Sequence, residues 1–199
     1  MDSILTRDFY SRDTLAVARD LLGRDIVRVL EDGAQLVCRI TETEAYIGRM
    51  DKACHAYGYK RTPRTETLYA PPGTAYIYLI YGLHHCLNFV TEEEGEPAAV
   101  LIRGAVPVAN GDIIAKKRFG CKIKDMSPYQ RKNFLNGPGK LCAGLDLTRR
   151  ENGLDLTGAA GLYVRAGSPP DPSEVRVGKR IGIDYAQEAV DFPWRFWAE

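Results

Sequence analysis

The sequence predicts an α+β fold, a single mixed domain over residues 1–199 built on a mostly antiparallel sheet. Three observations predict it. Short strand-forming stretches recur along the chain, separated by Gly, Pro, Asp and Asn turns. Helical spacing of apolar residues is confined to a few segments, near residues 11–22 and 110–119. No internal repeat or low-complexity tract interrupts the chain. With 199 residues, 45% of them hydrophobic, there is enough apolar material for one sizeable core.

Ser11 stands where a helix N-cap is expected, with Leu15, Ala18 and Leu22 on one face of three turns and Gly23 just beyond. Residues 25–30 and 34–46 read as two strands, with Glu31-Asp32-Gly33 as the hairpin turn between them. Residues 47–73 lack periodicity and carry Gly48, Gly58, Pro63, Pro71, Pro72 and Gly73. A connection that long, mixing aromatic and basic residues, points to function. Strands are expected at 74–81, 84–90 and 98–104, and a helix near 110–119. A break follows at Asn136-Gly137-Pro138-Gly139. Short strands at 162–165 and 176–183 precede the aromatic Trp194-Arg195-Phe196-Trp197.

Several function classes are excluded by composition. Met1-Asp2-Ser3-Ile4 lacks the basic and apolar regions of a secretory signal. The most apolar stretch, residues 76–90, is broken by Gly82, His84, His85 and Asn88 and is shorter than the ~20 residues a membrane helix needs. A cytoplasmic protein without membrane contact is expected, nucleoid-associated in a prokaryote. Five cysteines, scattered and never spaced Cys-x-x-Cys, argue for reduced thiols. Cys54-His55 and His84-His85-Cys86 fit no zinc spacing, because adjacent strand residues face opposite ways. Neither a metal nor another cofactor is expected.

The net charge of +1 alone speaks against a nucleic-acid partner, but the charge is segregated. Residues 112–150 hold ten Lys and Arg against three Asp, a local balance of +7. Arg49, Lys52, Lys60, Arg61 and Arg64 face Asp51 alone, while Glu92-Glu93-Glu94 and Glu96 gather acid elsewhere. A phosphate-binding face has this distribution. A solvated basic helix surface would give the same run of charge.

Two stretches carry candidate chemistry. In Thr41-Glu42-Thr43-Glu44-Ala45-Tyr46, strand alternation puts Glu42, Glu44 and Tyr46 on one face. Two carboxylates and a phenol on a buried face are costly unless they are paired or they work. In Tyr76-Ile77-Tyr78-Leu79-Ile80-Tyr81-Gly82, Tyr76 and Tyr78 share a face and Tyr81-Gly82 makes a turn. A carboxylate beside aromatics suits a site that stacks a flat, cationic ring and performs acid–base chemistry next to it.

In their order and spacing these residues resemble the alkyladenine DNA glycosylases, the 3-methyladenine DNA glycosylases of the mammalian alkyladenine type. The resemblance covers residues 9–196. It rests on Glu42-Thr43-Glu44-Ala45-Tyr46, His55, Thr62-Pro63-Arg64, the run from Pro72 to Gly82, Cys86-Leu87-Asn88, Leu101-Ile102-Arg103 and Gly137-Pro138-Gly139-Lys140-Leu141-Cys142. The resemblance implies a curved sheet with surrounding helices and a protruding hairpin. It implies a monomeric DNA-repair enzyme of base excision that binds double-stranded DNA containing damaged purines. Such an enzyme flips alkylated or deaminated purines out of the duplex, hydrolyses the N-glycosidic bond and leaves an abasic site.

Carried over by motif, Glu44 is the expected general base for water, with Arg103 and the backbone near Ile181 holding it or the water. Tyr46, His55 and Tyr78 would sandwich the flipped base above Asn88. Tyr81 would wedge into the minor groove with Gly82 and Leu83 beside it. Thr62, Arg64, Gly137, Gly139 and Lys140 would contact the DNA. His84 and His85 stand where the mammalian members carry larger aromatics, which bears on the fit of the wedge loop.

Elementary chemistry is consistent with these roles. Stacked aromatics attract a cationic purine more than a neutral one. A charged purine is already a good leaving group, so a positioned water and a carboxylate near an oxocarbenium-like sugar suffice. Taken singly, each residue has another reading: Glu44 as a strand carboxylate bridged to Arg103, Tyr46 and Tyr78 as half-buried strand aromatics, His55 as a structural histidine. A non-catalytic nucleic-acid-binding module would use the same sheet but leave Glu44 unexplained. A metal-dependent hydrolase would draw on His55, His84, His85 and Cys86.

Overall fold

The computed structural model describes residues 3–198; Met1 and Asp2, where the reading of the chain start falls, and Glu199 lie outside it. Eight strands form one sheet: β1 (Asp25–Val29), β2 (Gln35–Ile47), β3 (Ala75–Ile80), β4 (His84–Val90), β5 (Ala98–Ala109), β6 (Leu162–Arg165), β7 (Arg176–Gly178) and β8 (Arg195–Trp197). Their order is β3-β4-β5-β2-β1-β6, with β8 also on β2 and β7 on β8. Every pairing is antiparallel. The α+β expectation therefore holds.

The long strand β2 organises the sheet. One of its edges pairs with β5 from Val37 to Ile47. The other edge forks, giving Gln35–Arg39 to β1 and Glu42–Glu44 to β8. The β2–β5 register slips between Ile40 and Thr43, at the fork. An irregularity of this kind bends a strand and re-aims its side chains, and here it lies beside the acidic residues.

Alternation then divides the sheet into two faces. Leu36, Cys38, Ile40, Ile77, Leu87, Phe89, Val100 and Ile102 enter the main core. They meet Val17, Ala18 and Leu21 from α2 (Thr14–Asp20) or its C-terminal end, Ile114 from α3 (Gly111–Phe119), and Leu141 and Cys142 from α5 (Pro138–Gly144). Full burial of each large aliphatic or aromatic side chain contributes roughly 1.5–3 kcal/mol. Tyr76, Tyr78, Asn88, Ala99, Leu101 and Arg103 come from the opposite face and line a cavity.

Several boundaries differ from expectation for local reasons. Ser11 closes a short helix, α1 (Arg7–Tyr10), while the Asp13 carboxylate caps α2 by accepting from the Ala16 N–H at 3.0 Å. The helix is thus two turns long. Strand β5 continues five residues past 104, and Pro107 is tolerated where the register slips opposite Val37 and Cys38. The tail strand stops at Gly178 because the Arg180 side chain is drawn inward to Asp51. The long 47–73 connection holds two 3-10 turns, Tyr57–Tyr59 and Glu66–Tyr69. The break at 136–139 is the start of α5, with Pro138 in the first turn where its missing N–H costs nothing. Short α4 (Pro128–Lys132) has a Ser127–Gln130 capping box and too few residues for a periodic signal.

Candidate active site

The centre of the site is Glu44 on β2, whose side chain has no exposed surface. Its Oε1 accepts the Ile181 backbone N–H at 2.8 Å and its Oε2 accepts the Tyr46 hydroxyl at 2.8 Å. Arg103 Nε lies 3.4 Å from Oε1 and donates at 3.1 Å to Glu42 Oε1. Glu42 also accepts from Arg195 Nε at 2.5 Å. The two carboxylates foreseen on one face thus share Arg103, and Arg195 draws Glu42 toward the β8 side.

Burial pushes the Glu44 carboxyl above its ordinary pKa. Arg103, the Ile181 N–H and the Tyr46 hydroxyl pull against that rise, and neighbouring Glu42 adds to it. A carboxylate so held is ready to take a proton.

Tyr46, Arg103 and Ile181, which all touch Glu44, also line a cavity of about 390 Å³. Glu44 therefore sits directly behind the cavity wall. His55, Tyr76, Tyr78 and Asn88 complete the interior, with Arg64, Tyr81 and Tyr185 among the other lining residues. The Tyr76 and Tyr78 rings are 5.3 Å apart and tilted by 36°. His55 meets Tyr78 edge-on at 4.6 Å. The volume falls within the range of pockets for small flat ligands.

His55 is fixed from both nitrogens. Its Nδ1 is 3.2 Å from the Tyr76 hydroxyl, and its Nε2 is 3.4 Å from Arg64 Nη2. Arg64 has only donors, so Nε2 accepts and Nδ1 carries the hydrogen. Burial, with Arg64 adding to it, pulls the His55 pKa down to about 4, and the ring is neutral near pH 7. Asn88 uses its amide N–H groups on the Tyr76 and Cys86 carbonyls, at 3.0 and 3.3 Å. Its orientation is thereby set by the β3–β4 backbone.

The turn between β3 and β4 presents Tyr81 and Leu83, 83% and 77% exposed. Tyr81 and Gly82 both have positive φ, and the Leu83 N–H donates to the Ile80 carbonyl at 3.2 Å. This conformation matches hairpin twist but costs a non-glycine residue roughly 1–2 kcal/mol. A strained turn thus carries an exposed aromatic at the lip of the cavity. Gly139 packs against the same hairpin: a Cβ there would come within 2.9 Å of His84 Cβ. Gly137 has φ 151°, a region reserved for glycine. Lys140 Nζ is held by Asn133 Oδ1 at 2.8 Å and Asn136 Oδ1 at 3.0 Å. Thr62 lies two residues before Arg64, its N–H donating to Thr65 Oγ1.

The structure thus gathers Glu44, Arg103, Tyr46 and Ile181 in one cluster, and His55, Tyr78, Asn88, Arg64 and Tyr81 around the same cavity. Gly82 and Leu83 sit on the adjoining turn, while Gly137, Gly139 and Lys140 flank Pro138 in the wall. Four contributors were not assigned from sequence: Tyr76, which shares the Tyr78 face, Tyr185, and the buried pair Asp51–Arg180. Asp51 was visible as the lone acid in a basic stretch, a signal that it is paired internally. Among the described residues no three His, Cys, Asp or Glu side chains come together to hold a metal ion. No helix among them is long and apolar enough to cross a membrane.

A buried carboxylate behind an aromatic-walled cavity can serve a hydrolase acting beside a flat ring. The family model for methylpurine-DNA glycosylase matches residues 8–199. A protein of Clostridium perfringens strain 13 named "Putative 3-methyladenine DNA glycosylase" is 51% identical over 195 residues, covering 97% of this chain and 94% of that one. Relatives with the same name are 49% identical in Desulfitobacterium hafniense (98% and 95% covered) and 47% identical in Alkaliphilus oremlandii (97% and 94% covered). The chain belongs to the methylpurine-DNA glycosylase family. It is a DNA-repair enzyme that binds DNA and excises damaged bases by hydrolysing N-glycosyl bonds.

Proposed function

We propose that the chain rotates alkylated or deaminated purines out of duplex DNA into the 390 Å³ cavity and hydrolyses the N-glycosidic bond there, leaving an abasic site. The observation that carries this reading is the fully buried Glu44, bonded to three residues that themselves wall an aromatic cavity. Glu44 acts as general base for a water at the cavity edge. Arg103 and the Ile181 backbone hold that carboxylate in place.

Tyr46, His55 and Tyr78 stack the base, and Asn88 forms the floor. Tyr81 fills the gap left in the duplex, with Gly82 and Leu83 shaping the turn. An inserted side chain of this kind offsets an unstacking cost of a few kcal/mol. Thr62, Arg64, Gly137, Gly139 and Lys140 meet the DNA backbone. Among the described residues no Lys lines the cavity, which supports hydrolysis without a covalent imine. Residues 1–199 act as one glycosylase domain and as a monomer, in the cytoplasm at the nucleoid; the bacterial relatives support the cytoplasmic placement.

The test is incubation with duplexes bearing hypoxanthine, ethenoadenine or a methylated purine, followed by alkaline cleavage. Strand breaks at the lesion only after alkali are expected; their absence for every lesion contradicts the reading.

A further inference from the structure

Arg180 stands behind the Tyr46 ring. Its guanidinium carbon is 4.7 Å from the centre of Tyr46 and 5.0 Å from that of Trp194. Two bonds of 2.5 and 2.8 Å tie it to Asp51, and neither side chain has any exposed surface. Further N–H groups donate to the Ala45 carbonyl at 2.8 Å and the Ala189 carbonyl at 3.2 Å. Tyr46 lines the cavity, whereas Arg180, which covers the Tyr46 ring, does not.

We propose that Arg180 sets the balance between charged and uncharged lesions by standing behind Tyr46. The inference rests on the reading of Tyr46 as a wall that stacks the base. An aromatic face attracts a cation through its electron-rich surface. A guanidinium on one face draws that density toward itself, and it repels a second cation on the other face at a separation little greater than two stacking distances. In a buried setting such repulsion is poorly screened. A neutral purine still stacks but suffers none of the repulsion. Asp51 balances the charge of the pair at long range, whereas the guanidinium is the member in contact with the ring. Arg180 also acts on the Tyr46 hydroxyl, lowering the pKa that burial raises. Arg180 is therefore a specificity residue acting through Tyr46.

The test compares single-turnover excision of cationic 3-methyladenine and neutral hypoxanthine, neither of which carries the 2-amino group of guanine, from otherwise identical duplexes, read as a rate ratio on one enzyme preparation so that the folded fraction cancels. Arg180→Met with Asp51→Leu removes both charges at similar volume, a replacement that buried pairs often tolerate. The ratio should rise in favour of 3-methyladenine by roughly five- to tenfold. Arg180→Lys, which keeps the cation, should stay within about twofold of the wild type. If the apolar pair does not fold, Arg180→Gln with Asp51→Asn takes its place with the same expectation. An unchanged ratio in the neutral pair, or an equal shift in Arg180→Lys, overturns the inference. Tyr46→Leu separates the two readings: it should slow both excisions and abolish the effect of the neutral pair. If Tyr46→Leu slows neither, the stacking reading itself fails.

Discussion

The Ile181 backbone N–H donates to Glu44 Oε1 at 2.8 Å across 137 residues of sequence. The catalytic strand and the C-terminal segment therefore meet at one carboxylate oxygen, while Tyr46 takes the other at 2.8 Å. Adjacent Arg180, clamped to Asp51, fixes the backbone that brings this N–H into place. The position of the acid depends on the tail as much as on its own strand.

Acid inactivation should report Glu44. The base must be ionised, so kcat/KM falls as pH drops through its raised pKa, above the ordinary carboxylate range. Tyr46→Phe deletes a hydrogen bond that favours the ionised form, raising that pKa further and moving the acid limb to higher pH. His55, neutral down to about 4, should not set this limb. A pH profile with a neutral lesion checks both points; a limb that Tyr46→Phe leaves in place contradicts them.

Tyr81→Ser should weaken flipping rather than hydrolysis. The exposed ring lies at the cavity lip, where it can keep an extruded base from restacking. Excision from duplex DNA should fall more than excision from single strands, in rates measured side by side. Equal losses on the two substrates would remove the wedge from the account.

Asn88→Ser should relax selectivity. The side chain is pinned to the Tyr76 and Cys86 carbonyls, so the floor cannot move away from the exocyclic amino group of guanine. Release of unmodified guanine, especially from mismatches, should rise while hypoxanthine excision survives. Background guanine release with collapsed hypoxanthine release would make Asn88 a supporting strand residue only.

Asp51→Ala should be among the costliest changes in the fold. It strips the partner from a guanidinium that has no exposed surface. Breaking a buried pair on one side costs roughly 3–5 kcal/mol. Urea unfolding measures this; a loss below about 1 kcal/mol, the range of exposed pairs, would mean the pair is not anchoring the segment.

What could be read beforehand follows the range of the forces involved. Period-two alternation on β2 put Glu42, Glu44 and Tyr46 on one face, and the same rule grouped Tyr76 with Tyr78. Arg103 was legible as a partner of Glu44, but its sharing with Glu42 depends on the fork of β2 between β1 and β8. The Asp51–Arg180 clamp spans 129 residues, so the lone acid at 51 pointed to an internal partner without identifying it. Asp13 displaced Ser11 as the cap of α2 because Ser11 ends a preceding helix of four residues, too short to show periodicity. Strand β5 runs past the expected end at 104 and through Pro107, which a register slip in the partner strand accommodates.

The most direct test of the central claim is single-turnover excision of hypoxanthine from duplex DNA by Glu44→Gln, paired with its affinity for the same duplex. The amide keeps the size of the side chain and can still accept from Ile181 or Tyr46, but it cannot take a proton from water. The rate should fall by at least roughly 10²- to 10⁴-fold with affinity for lesion DNA nearly unchanged. Borohydride should trap no adduct with the wild type. A Gln variant that keeps most of the excision rate would contradict Glu44 as the base.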